Sequence, residues 1–213
     1  MDALLGAAQE RGIPTMRVDD PEELAVSLGV AAYQDGDRAP AEDIFRRVAA
    51  GGRRAAPKAA YYLGELLQER GDLAGAERAY RQAADGEDGE IAAMGMVNLA
   101  VILMGRGDLA GAEGLLRTVE SGTPQWAPRA AFNLGGVLAL QGRSVEAEAA
   151  FRRAVDSGHP DDAPAALTHL AALYFRTGRF DESERAYQRV LATGHPEFVP
   201  LARAGLADLQ RRS

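Results

Sequence analysis

The chain has 213 residues, 46% hydrophobic and 26% charged, ordinary values for a folded protein that leave disorder to the ends alone. Its formal net charge of −7 argues against sequence-independent nucleic-acid binding, which needs a clustered basic surface to displace counterions from phosphates. It has no cysteine, so disulfides, thiolate metal sites and cysteine nucleophiles are excluded.

Residues 1–19 stand apart from the rest of the chain. A short helix from Asp2 to Glu10 precedes the irregular run Ile13-Pro14-Thr15-Met16-Arg17-Val18. This arm either caps the apolar flank of the next segment or docks onto a partner. Acidic Asp2 and the lack of a basic region or sustained apolar core do not read as a secretory signal. No stretch approaches the roughly 18 apolar residues of a membrane span. The expectation is a soluble, cytoplasmic protein without membrane contact.

From residue 20 onward a leucine-small pair recurs as Leu28-Gly29, Leu63-Gly64, Leu99-Ala100, Leu134-Gly135 and Leu170-Ala171, at alternating spacings of 35 and 36. A period of this size marks supersecondary units too small to bury their own apolar faces, which must therefore stack. After each pair comes a small residue with a bulky one four further on: Ala41 with Phe45, Ala76 with Tyr80, Ala112 with Leu116, Ala147 with Phe151, Ser183 with Tyr187. That spacing places both on one helical face, so each unit is two helices. The turn between them carries Gly36, Gly71, Gly107, Gly142 and Gly178, a residue type that accepts a left-handed backbone after a helix.

Pro57, Pro128, Pro164 and Pro200 fall in the first turn of leading helices, where the missing N–H costs nothing. The predicted units are about 20–55, 56–90, 91–126, 127–162 and 163–198, and a capping segment, 199–213, comes after them with a helix from Leu201 to about Arg211 and the polar end Gln210-Arg211-Arg212-Ser213. The array counts as one quasi-linear body with no independent second domain.

These residues resemble the tetratricopeptide repeat, whose pattern is a leucine-glycine pair, a bulky residue three on, then a small and an aromatic residue in the second helix. Tyr61-Tyr62-Leu63-Gly64-Glu65-Leu66-Leu67 with Ala76 and Tyr80 fits, as does Phe132-Asn133-Leu134-Gly135 with Leu138, Ala147 and Phe151. The family's early tryptophan is replaced by Ala25, Ala60, Met96, Ala131 and Leu167, and Ala83-Ala84-Asp85-Gly86 leans toward the Sel1-like relatives. The resemblance implies an all-α fold, a right-handed α-solenoid of five helix-turn-helix repeats plus a capping helix, with the leading helices lining the concave side.

On those helices helical spacing nominates a stripe: Val26, Val30, Tyr33; Tyr61, Glu65, Gln68; Val97, Val101, Met104; Phe132, Gly136, Ala139; Thr168, Ala172, Phe175. Beside it, one place before each leucine, stand Ser27, Tyr62, Asn98, Asn133 and His169. Asparagines there have donors and acceptors to offer a peptide backbone. The alternative reading makes Tyr62, Val97 and Phe132 inter-repeat core and the asparagines solvated or bonded within a turn. Lys58 and Arg129 flank the groove, to receive an acidic side chain or to stand as solvated surface charges. Family members that clamp a C-terminal carboxylate use a lysine and asparagine set; Val26, Val30, Asn98 and Arg129 do not make one.

Catalytic and metal chemistry is not predicted. His159 and His195 occupy equivalent turns, where histidine complements the dipole of the preceding helix, and His169 lacks the partners of a zinc site. Gly105-Arg106-Gly107-Asp108-Leu109-Ala110-Gly111 looks like a phosphate loop but has neither the preceding strand nor the lysine. Arg70-Gly71-Asp72 and Arg106-Gly107-Asp108 read as turns in which glycine ends one helix and aspartate caps the next. No enzyme activity and no cofactor are expected.

The predicted function is a protein-interaction scaffold or adaptor that holds a partner's peptide segment in its groove, through Tyr33, Lys58, Tyr61, Tyr62, Asn98, Val101, Met104, Arg129, Phe132, Asn133, His169 and Phe175. The alternatives are a regulatory protein that senses a peptide or controls a partner, and a structural module that self-associates. The expected state is a monomer or weak homo-oligomer. The arginine, alanine and glycine bias is that of a high-GC bacterial gene.

Overall fold

The computed structural model describes Gly6, residues 20–51 and residues 54–211. The predicted arm, Gly6 apart, and Arg212-Ser213 of the polar end lie outside the described residues. Among the described residues there are eleven helices and no strand: α1 (Pro21–Gln34), α2 (Arg38–Ala50), α3 (Ala56–Glu69), α4 (Leu73–Ala84), α5 (Gly89–Gly105), α6 (Leu109–Gly122), α7 (Ala127–Leu140), α8 (Ser144–Asp156), α9 (Asp162–Arg176), α10 (Phe180–Thr193) and α11 (Phe198–Gln210). The chain forms two compact units, residues 1–102 and residues 103–213.

Helix boundaries are set by local chemistry. Asp20 caps α1, its Oδ1 accepting the Glu22 N–H at 2.9 Å, with Pro21 in the first turn where no N–H is needed. In both Arg-Gly-Asp turns the aspartate caps the following helix: Asp72 Oδ1 accepts from Gly75 N–H and Asp108 Oδ1 from Gly111 N–H, each at 2.9 Å. The turn itself needs a left-handed residue, and Gly71 supplies it at φ +82° while the next amide, of Asp72, donates to the Leu67 carbonyl at 2.8 Å.

Within the first unit α1 packs on α2, α2 on α3 and α3 on α4, and the leading helices α1 and α3 also touch. Within the second, α6 through α10 each pack on the next helix in the chain, and the leading helix α9 touches both α7 and α11. Sequential packing plus contact between every second helix is the stacking that the 35/36 period requires.

The small-bulky pairs are the core. Ala41, Ala76, Ala112, Ala147 and Ser183 are fully buried, beside Phe45 (0%), Tyr80 (1%), Leu116 (1%) and Phe151 (2%). Burying each of these large side chains contributes about 2–3 kcal/mol relative to leaving it exposed. Ser183 avoids the cost of a buried hydroxyl by donating to the Ala171 carbonyl at 2.8 Å. The glycine of the anchor pair lets the ring in: a Cβ on Gly64 would lie 2.5 Å from the Tyr80 ring, and Gly135 stands in the same relation to Phe151.

α11 starts three residues earlier than predicted and continues the rhythm, since Leu206-Ala207 comes 36 residues after Leu170-Ala171. It thus takes the register of a further leading helix. A Cβ on Gly205 would collide with the Tyr187 ring of α10, as expected where a leading helix closes over the bulky residue of the pair before it.

Candidate functional site

In three of the five columns the residue before the anchor leucine sits against the bulky residue of the preceding second helix. Tyr62 stacks on Phe45 with centroids 5.3 Å apart, His169 on Phe151 at 5.8 Å, and the Asn98 amide lies by the Tyr80 hydroxyl. The column assigned to a peptide backbone therefore has one side committed to the core. Its members still reach the surface: Tyr62, Asn98 and Asn133 are half-buried and His169 is exposed.

The stripe next to it is buried at its first position and opens at the later ones. Val26 (0%), Tyr61 (6%), Val97 (3%) and Thr168 (9%) are interior, whereas Gln68, Val101 and Ala172 are exposed. Tyr61 is enclosed because its ring lies 5.3 Å from that of Tyr62 and 6.0 Å from that of Tyr80.

In the first unit the face of α1, α3 and α5 is a linked set of phenols, carboxylates and one amide. The Tyr33 hydroxyl donates to Glu69, and the Arg38 guanidinium lies 4.4 Å over the Tyr33 ring while its Nε donates to Glu69 at 3.1 Å. The bond to Glu69, with burial, pushes the Tyr33 phenol up to about 12. The Tyr61 hydroxyl donates to Glu65 Oε1 at 2.8 Å. Burial pushes the phenols of Tyr61 and Tyr80 well above the usual range, with Glu65 adding to it and the Asn98 amide opposing it. Lys58 Nζ is 3.2 Å from Glu23 Oε2, so this predicted cation already has a partner. Val101 is 37% exposed.

In the second unit the face of α7 and α9 is aromatic. Phe132 is half-buried, with centroids 5.2 Å from His169, edge to face, and 6.3 Å from Phe151. His169 keeps an exposed edge, but the water lost from its stacked side holds its imidazole below the ordinary histidine value. Phe175 meets Phe180 edge to face at 5.8 Å, and Met104 is half-buried. Arg129 is paired with Asp162, which is 4% exposed, and Asn133 Nδ2 donates to the Arg129 carbonyl at 3.0 Å. The Asn133 amide hydrogen is thus bonded within its own helix turn, the alternative that the sequence left open.

The predicted histidine role in the turns is corrected. His159 Nδ1 accepts from the Asp161 and Asp162 N–H groups at 3.4 and 3.3 Å, and His195 Nδ1 from Glu197 N–H at 3.3 Å. Both rings therefore serve the start of the following helix, whose N–H groups have no intrahelical acceptor, rather than the end of the preceding one.

A second feature went unread in the sequence. A glutamate comes directly after the small residue in all five pairs, and in four of them Glu42, Glu77, Glu113 and Glu148 bind the arginine four residues on, Arg46, Arg81, Arg117 and Arg152, at 2.5 to 2.7 Å. Glu42, Glu113 and Glu148 also reach an arginine at the next turn: Arg70 at 3.1 Å, Arg143 at 2.8 Å and Arg179 at 2.6 Å. The signal was a Glu-x-x-x-Arg recurring at the repeat period. Among the described residues no group of three or more His, Asp or Glu side chains could hold a metal ion, and no helix is long and apolar enough to cross a membrane.

Solved structures share this fold. The structure of PilW, a type IV pilus biogenesis factor, superposes with a TM-score of 0.71 at 17% identity, covering 91% of this chain and 94% of its own. A tetratricopeptide repeat protein from Parabacteroides merdae gives 0.70 at 20% identity, covering 88% and 72%. YrrB, described as a TPR protein with an unusual peptide-binding site, gives 0.63 at 18% identity, covering 96% and 98%. No curated protein matches the chain. The model of the tetratricopeptide repeat-like domain matches residues 30–174, well over half of the chain, and that of a tetratricopeptide repeat matches residues 165–194. With helix pairs, anchor glycines and aromatic cores in register, this chain belongs to the tetratricopeptide repeat family, whose fold is an all-α solenoid and whose general role is protein–protein interaction.

Proposed function

We infer that the chain is a non-enzymatic scaffold or adaptor whose leading-helix faces hold a peptide segment of a partner protein. One contrast carries this reading. The carboxylates of the second helices are locked by arginines, whereas the leading helices leave Gln68, Val101, Ala172 and His169 exposed and Asn98 and Phe132 half-buried. A face with apolar side chains and a few polar groups suits an extended or helical segment. The described peptide site of YrrB supports it by analogy of fold.

Selection of a displayed random-peptide library on the full chain tests the reading. Binders are expected that lose affinity for an Asn98→Ala/Phe132→Ala/His169→Ala variant still helical by circular dichroism. Binders indifferent to that variant would overturn the assignment to these faces.

Self-association is the second reading, favoured by Leu201, 53% exposed on α11. Sedimentation velocity separates the two, since a mass that rises with concentration and falls with Leu201→Glu belongs to self-association.

A further inference from the structure

Glu65 stands on α3 between Tyr61 and Glu69 and is half-buried, its Oε1 accepting the Tyr61 hydroxyl at 2.8 Å. Loss of water holds its carboxyl above the ordinary value, Glu69 pushes the same way, and only the Tyr61 hydroxyl opposes them. Its neighbours have counter-ions: Glu69 has Arg38 at 3.1 Å and Glu23 has Lys58 at 3.2 Å. Among the described residues no cation forms an ion pair with Glu65. A partly desolvated carboxylate beside a like charge, with no counter-ion, opposes folding.

The surroundings define what would relieve it. At the matching register on the other leading helices of this unit stand Val30, half-buried on α1, and Val101, 37% exposed on α5. Gln68 is exposed one turn further along α3. A charged head group on a long apolar stem matches this set, because the stem covers aliphatic surface while the head reaches the carboxylate. The charge of the chain, −7, favours approach of a basic segment.

On the reading of the leading-helix faces as a peptide site, we propose that Glu65, with Val30 and Val101 at the matching register of the other leading helices, is the subsite for a lysine or arginine side chain of the bound peptide. It makes the first unit selective for a basic segment and gives an uncompensated carboxylate a reason to be there.

The test uses three pools of fluorescein-labelled, N-acetylated octapeptides with Arg, norleucine or Glu at one central position and Ala, Leu, Phe or Ser elsewhere, read by fluorescence anisotropy on the full chain. The Arg pool is expected to bind about tenfold tighter than the norleucine pool, and the Glu pool weakest, as for a partly desolvated charge pair. Glu65→Gln, which keeps the Tyr61 hydrogen bond, is expected to erase the Arg-over-norleucine difference and leave the norleucine pool unchanged. Equal binding of all pools to the wild type, or an Arg preference that survives in Glu65→Gln, would overturn the subsite and leave the peptide-face reading standing. No binding by any pool would overturn both.

Discussion

The two units solve one packing problem with different chemistry. In the first, Tyr80 fills the space below the leading helix and its buried hydroxyl lies by the Asn98 amide, in a polar cluster with Tyr61 and Glu65. In the second, Phe151 fills the equivalent space with no polar atom, and the residue above it is His169, held by stacking alone. At these two positions one hydroxyl separates a polar cluster from an aromatic shelf, and the Phe45–Tyr62 stack shows that the first unit also holds an aromatic pair. Polar groups committed to such a cluster are expensive to remove singly, whereas stacked rings lose contact area alone.

The largest expected effect tests the shelf. Phe151→Ala removes a ring that is 2% exposed and is expected to cost about 3–5 kcal/mol in urea unfolding, with faster hydrogen exchange in α7–α9. A loss below about 1 kcal/mol would show that the ring is not the keystone of its unit. Next comes the close approach in the first unit. Gly64→Ala puts a Cβ 2.5 Å from the Tyr80 ring and is expected to cost about 1–3 kcal/mol, read as a fall in melting temperature, because the ring is buried at 1% exposure.

Tyr80→Phe sharpens the comparison by making the first unit imitate the second. It removes the hydroxyl beside Asn98 and is expected to cost about 1 kcal/mol; the paired change Tyr80→Phe/Asn98→His should recover part of it by stacking in place of the polar contact. Recovery of nothing would mean that the units are not interchangeable at this column.

The smallest effects are opposite pH dependences. His169 has a folded pKa below the ordinary histidine value of 6.5, so its neutral form stabilises the fold above that value and the contribution fades as pH falls through it. Glu65 has a folded pKa above the ordinary carboxyl value of 4.5, so its ionised form weakens the fold once pH rises past 4.5. Melting curves from about pH 4 to 8 should therefore show His169→Phe losing the acid-side decline, and Glu65→Gln gaining stability near neutral pH.

Much of the architecture was legible because the anchor pairs, turn glycines and first-turn prolines act locally. Gly71 turns the chain because of its own backbone, and Asp72 caps because its carboxylate reaches the third amide along, so spacing alone locates them. The candidate site was legible as a set of columns but not in its commitments. Lys58 and Arg129 both face carboxylates, Glu23 and Asp162, distant in sequence. Tyr61 lies under neighbouring rings, and the arginine-bound ladder of second-helix glutamates went unread in the sequence.

By itself, the sequence determined the period, the two-helix unit and the order of small and bulky positions, because these depend on helical geometry and local backbone preference. Only the tertiary structure decided which side of a column is spent on the core and which charges, among the described residues, are neutralised. Those outcomes depend on side chains some 30 residues apart being brought within a few ångströms, and distances across the stack are not written in a repeat pattern.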